Sequence, residues 1–272
     1  MESLLGHITT FSIIFPLAIQ RLWLSLSLQA QSTPSDPFKP KPWHFSTSDH
    51  HTLRRNATIY LSLLLLLPIT IFASLHPISA RHVASLLLFS LLLALILLAD
   101  SHRVLLLPRG ALFFLSAFVF LADSALSNPN STTHFSEVGF HLRSLTMGPT
   151  LICAISCFVL AFVSSNAADV ALSIALALKG SWELQVGLTF YVLKLRGCST
   201  AGGPGGVSCE LHEDATRAMH MLDLLFSSHA VAIATVCLGM QWIAARWVNR
   251  TAETDAMLTR LVEISTSDLE FD

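Results

Sequence analysis

Lys179 and Glu183 stand one helical turn apart near the middle of the run Asp169–Leu193, between the largely apolar segments Val170–Leu178 and Leu188–Leu193. At about 1.5 Å per residue, a helix of this length crosses a hydrocarbon core of about 30 Å. A charge placed there costs about 2.5–3.5 kcal/mol on insertion scales, so both side chains must face protein or water. Their spacing lets acid and base neutralise each other along one helix face. Two chemistries follow: a proton or ion path, or a structural ion pair joined by Gln185 or Asp223 that fixes how the helix packs. The structural tie is the stronger expectation, because a lone pair without an acidic relay seldom builds a transporter.

A second polar set, His220, Asp223 and His229, lies in the last apolar stretch. With Lys179, Glu183 and Gln185 it defines a candidate intramembrane site. His220 and Asp223, three residues apart, nearly share a face, whereas His229 points to the opposite side. One helix therefore cannot gather all three, and a metal would need ligands from elsewhere, such as His7, Glu183 or His141. Buried histidines satisfied by neighbouring helices are the simpler reading. His50-His51 and His212-Glu-Asp214 read as solvated loop, and Cys153 and Cys157 as small core residues one turn apart. No metal or cofactor is expected. The chain has no Gly-x-Ser-x-Gly, phosphate loop, dinucleotide fingerprint or His-Glu-x-x-His, so the common enzyme classes lack their signatures.

The elements that hold these residues are set by composition. The sequence is 53% hydrophobic and 12% charged, against about 25% charged in soluble domains. Its mean hydropathy is +0.61. Basic residues are scattered and net charge is near zero, which excludes a nucleic-acid surface. The apolar run from Leu4 to about Leu28, carrying Gln20 and Arg21, reads as a retained first span, with Gln29-Ala-Gln-Ser leaving cleavage as the alternative. Pro34, Pro37, Pro40 and Pro42 mark a loop. Spans two and three, Ile59–Leu75 and Val83–Ala99, form a tight hairpin. Span four starts at Pro108-Arg-Gly110 and ends near Leu126. Span five is about Met147–Val163, span six is Asp169–Leu193, and span seven is about Met219–Trp247. Asn166 and Asp169 have the spacing of a capping box opening span six.

The fold class expected is thus all-α: a bundle of about seven transmembrane helices over residues 1–247, followed by an acidic, mobile tail at 248–272 with a weak stripe of Met257, Leu258, Leu261 and Val262. The balance of arginine and lysine between loops, roughly nine against five, places the C-terminus in the cytosol and the N-terminus in the lumen or outside the cell. That topology puts Asn130, in the acceptor sequence Asn130-Ser-Thr132, on the glycosylated side. It also puts Cys198 and Cys209, which bracket a Gly/Pro-rich loop, in an oxidising compartment where a disulfide can form.

Three places carry a family resemblance: Gly6-His7 with Leu22-Trp23 in span one; Lys179-Gly-Ser-Trp-Glu-Leu-Gln-Val-Gly187; and Leu211-His-Glu-Asp214 followed by Phe226-Ser-Ser-His-Ala230. They resemble the motifs of the transmembrane protein 45 family (domain-of-unknown-function family 716), the middle one matching Gln-Gly-Thr-Trp-x-x-Gln-x-Gly. Lys179 replaces the glutamine of that pattern, Glu183 an apolar residue, and Ser228 the tryptophan before the last histidine. Span three lacks the family's histidines, and the turn between the fourth and fifth spans keeps only His134 and His141. The resemblance implies an endomembrane or plasma-membrane protein linked to trafficking and stress responses. The function expected is non-enzymatic, in contact with the lipid bilayer and acting through protein partners. The sequence names neither those partners nor an oligomeric state. The alternative is handling of a small solute, ion or metal through a polar site between helices six and seven.

Overall fold

The computed structural model describes residues 4–32, 40, 87–92, 94–95, 108–126, 136–193, 197–199 and 207–269. Span two and the Asn130 sequon lie outside these residues, and span three is described only at 87–92 and 94–95, which are helical.

The described chain is mostly helical. Helix α1 covers Leu4–Gln31 with Pro16 inside it; a membrane helix tolerates such a proline where neighbours satisfy the freed backbone. Helix α2 is Arg109–Leu126. Helix α3, Glu137–Phe162, starts ten residues before the apolar run that marks it in the sequence. Its start is set by capping rather than hydropathy. Ser136 Oγ accepts from Gly139 N at 3.2 Å, and Glu137 complements the positive helix end. Helix α4 is Asn166–Leu188. Its cap is Ser165, which accepts from Ala168 N at 3.3 Å, so Asn166 is the first helical residue and the expected Asn166–Asp169 box does not form. A π-helical turn, Thr189–Leu193, continues α4.

Next comes a two-stranded hairpin, β1 (Cys198–Ser199) and β2 (Ser208–Cys209), with Cys198 opposite Cys209 and a disulfide between them. Val207, next to it, is buried with Val138, Trp182, Val186 and Phe190, and its carbonyl accepts a hydrogen bond from Ser136. The hairpin therefore pins the end of α4 to the start of α3. Replacing both cysteines by serine should lower stability by about 3 kcal/mol from loop-closure entropy. A thermal melt of the purified protein with and without reductant checks it, and coincident curves would count against it.

Helix α5 is unbroken from His212 to Leu269. Residues 248–269 of the expected tail are helical, continuous with the last apolar helix.

Helices α1 and α4 pack most extensively on each other, α2 and α3 likewise, and α3 also packs on α4, while α5 lies across α1, α3 and α4. Close approach depends on glycine. A Cβ at Gly180 would lie 3.0 Å from Phe15 N, and one at Gly187 would lie 2.8 Å from His7 Cβ. Between α2 and α3, a Cβ at Gly110 would clash with the Ala161 carbonyl oxygen. Backbone must move to admit it, so Gly110→Ala should destabilise by about 1–3 kcal/mol, measurable as a lowered melting temperature.

Outside the core the bundle is apolar: Ile155, Phe158 and Phe162 on α3, and Leu224, Val231 and Leu238 on α5, are all exposed. Among the described residues three helices are long and apolar enough to cross a membrane, namely Gly6–Ala30, Glu137–Phe162 and His212–Trp247; Gly110–Ala125 is a shorter apolar helix. At the end of the last, Arg246 stacks 4.0 Å over the Trp242 ring, and Trp247 is exposed beside it. Basic and aromatic side chains of this kind favour a membrane interface.

Candidate functional site

Helix α4 carries three charged residues, Asp169, Lys179 and Glu183, and each is tied to another helix. Lys179 Nζ donates to Asp123 Oδ2 of α2 at 2.8 Å and to Thr150 Oγ1 of α3 at 2.9 Å. Lysine, aspartate and threonine are all buried. Thr150 donates in turn to the Thr146 carbonyl at 3.2 Å, and Thr146 Oγ1 accepts from the Trp182 indole at 3.2 Å. The ammonium thus joins three helices through a hydrogen-bonded network, which low local polarity strengthens.

Toward the hairpin end, His7 Nδ1 of α1 is hydrogen-bonded to Glu183 Oε2 at 3.0 Å. The histidine lies over Gly187, with its ring 6.2 Å from that of Tyr191. Toward the other end, the Arg21 guanidinium bonds Asp169 Oδ1, both side chains being buried, and lies 5.7 Å from the Phe113 ring centroid.

The expected Lys179–Glu183 pair is therefore not the one formed. A four-residue step carries a side chain about 40° past a full turn of the helix. Lys179 turns toward α2 and α3 and Glu183 toward α1, so each finds a tertiary partner. Glu183 still acts on Lys179 through space. Gln185 donates to Thr189 Oγ1 at 3.3 Å rather than joining the pair. Asp223 bonds His141 Nε2 at 2.7 Å, linking α5 to α3. His220 is exposed. His229 Nδ1 lies 3.3 Å from the Leu225 carbonyl, with its ring edge-on to Trp182 at 6.2 Å. The six candidate residues are thus dispersed, and the polar interior lies among α1, α2, α3 and α4 rather than between α4 and α5.

Arg21, Asp169, Asp123 and Thr150 are the residues that sequence reasoning missed. The signal was present, since an arginine and two aspartates inside apolar runs need buried partners. Among the described residues no group of three or more His, Cys, Asp or Glu could hold a metal ion. The site's chemistry is ion pairing and hydrogen bonding between helices.

The central motif now has a physical reading. Gly180 and Gly187 admit α1, Trp182 fills the core and bonds Thr146, and Gln185 holds Thr189 at the π-helical turn. None of the curated proteins compared matches the chain. A family model described as a family of unknown function, DUF716, matches residues 109–241, from the start of α2 into α5. The motif lies inside that span, so the part of the chain from α2 into α5 matches the DUF716 family, the transmembrane protein 45 type that the sequence resembles.

Proposed function

We propose that this is a non-enzymatic, multi-pass integral membrane protein of about seven spans, acting through protein partners in trafficking, scaffolding or stress response. The observation that carries the reading is Lys179, enclosed by Asp123 and Thr150, each on a different helix. A buried base used to tie helices together needs no solute path. Flux of protons or alkali cations into liposomes holding the purified protein should equal that of protein-free liposomes. Flux that Glu183→Leu abolishes would overturn the reading.

A second reading, ion or small-solute handling, is favoured by Glu183, whose side chain keeps 16% of its exposure while bonded to His7. On that reading the polar residues come from α1 and α4.

The orientation proposed is a lumenal or extracellular N-terminus and a cytosolic C-terminus, in an endomembrane or the plasma membrane. In sealed, cytosol-side-out vesicles, added protease should remove a C-terminal tag. Complete protection of the tag would reverse the orientation.

A further inference from the structure

The foot of α4 carries a feature that the ion pairs do not account for. Helices α1 and α4 are antiparallel in a register set by two close approaches, Gly187 opposite His7 and Gly180 opposite Phe15. Each step forward along α1 is a step back along α4, so Ser25 comes level with Asp169 and Val170. Arg21, one turn from Ser25, bonds Asp169 Oδ1 at the same level. Asn166 is one turn before Asp169, at the start of α4. This register brings three oxygens to adjacent turns at this end of the α1–α4 seam: Ser25 Oγ, Asn166 Oδ1 and Asp169 Oδ2. All three are sealed from the surface, and among the described residues none meets a hydrogen-bond partner. Ser25 and Asp169 are both 0% exposed.

The occupant that fits is a small hydrogen-bond donor. An alkali cation would suit three oxygens, but Arg21 already balances the Asp169 charge, so a cation would leave an excess positive charge in the interior. A water molecule adds no charge, donates two hydrogens to the Asn166 and Asp169 oxygens, and accepts from the serine hydroxyl. Buried waters of this kind make about three hydrogen bonds to groups that would otherwise go unsatisfied. We propose that one internal water is bound between α1 and the first turn of α4, held by Ser25 Oγ, Asn166 Oδ1 and Asp169 Oδ2. The inference is independent of the proposed function.

Cys157 of α3 supplies a reporter. It is 1% exposed and lies within electrostatic reach of both Arg21 and Asp169, and a thiol is among the side chains most readily oxidised. X-ray irradiation of the full-length protein in lipid nanodiscs equilibrated with oxygen-18 water generates hydroxyl radicals from bound as well as bulk water. Cys157 should take up the heavy label in the wild type, with several-fold less in Ser25→Val, which fills the space. Ser25→Ala, which leaves the space open, should keep the label. If Ser25→Val does not fold, Asn166→Leu makes the same comparison from the other helix. Equal labelling of Cys157 in the wild type and a folded filling variant would overturn the proposal. So would labelling or a melting temperature that changes with one alkali cation among lithium, sodium and potassium, which would assign the site to that ion.

Discussion

Lys179→Met should lower the unfolding free energy by about 3–5 kcal/mol, the usual cost of leaving one member of a buried pair without the other. Asp123 would keep its carboxylate in the interior without the ammonium that faces it at 2.8 Å. Three free cysteines, Cys153, Cys157 and Cys237, are buried, so a thiol-reactive fluorophore reports unfolding directly. The double variant Lys179→Met/Asp123→Leu should recover much of the loss, because two apolar side chains then fill the space and insert readily into lipid. Lys179→Met/Glu183→Leu should not recover it, since Glu183 is bonded to His7. Rescue by the second double variant and not the first would show that the helical neighbour, rather than Asp123, is the working partner.

Arg21→Met should cost a similar 3–5 kcal/mol. It takes from Asp169 the guanidinium on Oδ1, leaving a fully buried carboxylate whose other oxygen meets no protein donor among the described residues. Asp169→Leu added to Arg21→Met should restore stability, while Arg21→Lys should restore it only in part, a lysine being a point charge without the planar fork. Hydrogen exchange across the first turns of α4 makes the effect local and visible. Unchanged protection there in a destabilised Arg21→Met would mean that the arginine acts elsewhere.

Much of the bundle is legible in apolar runs, because lipid-facing helices need continuous hydrophobic surface. The start of α3 is not: residues 137–146 mix polar and apolar types, and only the Ser136 cap marks the beginning. At α4 the cap falls on Ser165, one residue before the expected Asn166, since both are good capping residues and only the backbone decides. The candidate site was half legible. That Lys179 and Glu183 must be neutralised follows from their surroundings, but which residues do so depends on helices brought together from distant parts of the chain. Asp123 is 56 residues from Lys179, and His7 is 176 from Glu183. Local spacing favoured the neighbour one turn away, and tertiary packing offered each a partner with better geometry.

The unbroken course of α5 has a mechanical consequence. Its apolar part ends at Trp247, yet the helix runs on to Leu269, a further length of about 33 Å at 1.5 Å per residue. A rigid rod anchored in the bilayer by aromatic and basic side chains is a lever. Tilting it by about 10°, as a change in bilayer thickness can do, carries its far end sideways by about 6 Å. On the proposed membrane reading, α5 would be a mechanical pointer from the bilayer into water whose tip moves with the thickness of the membrane.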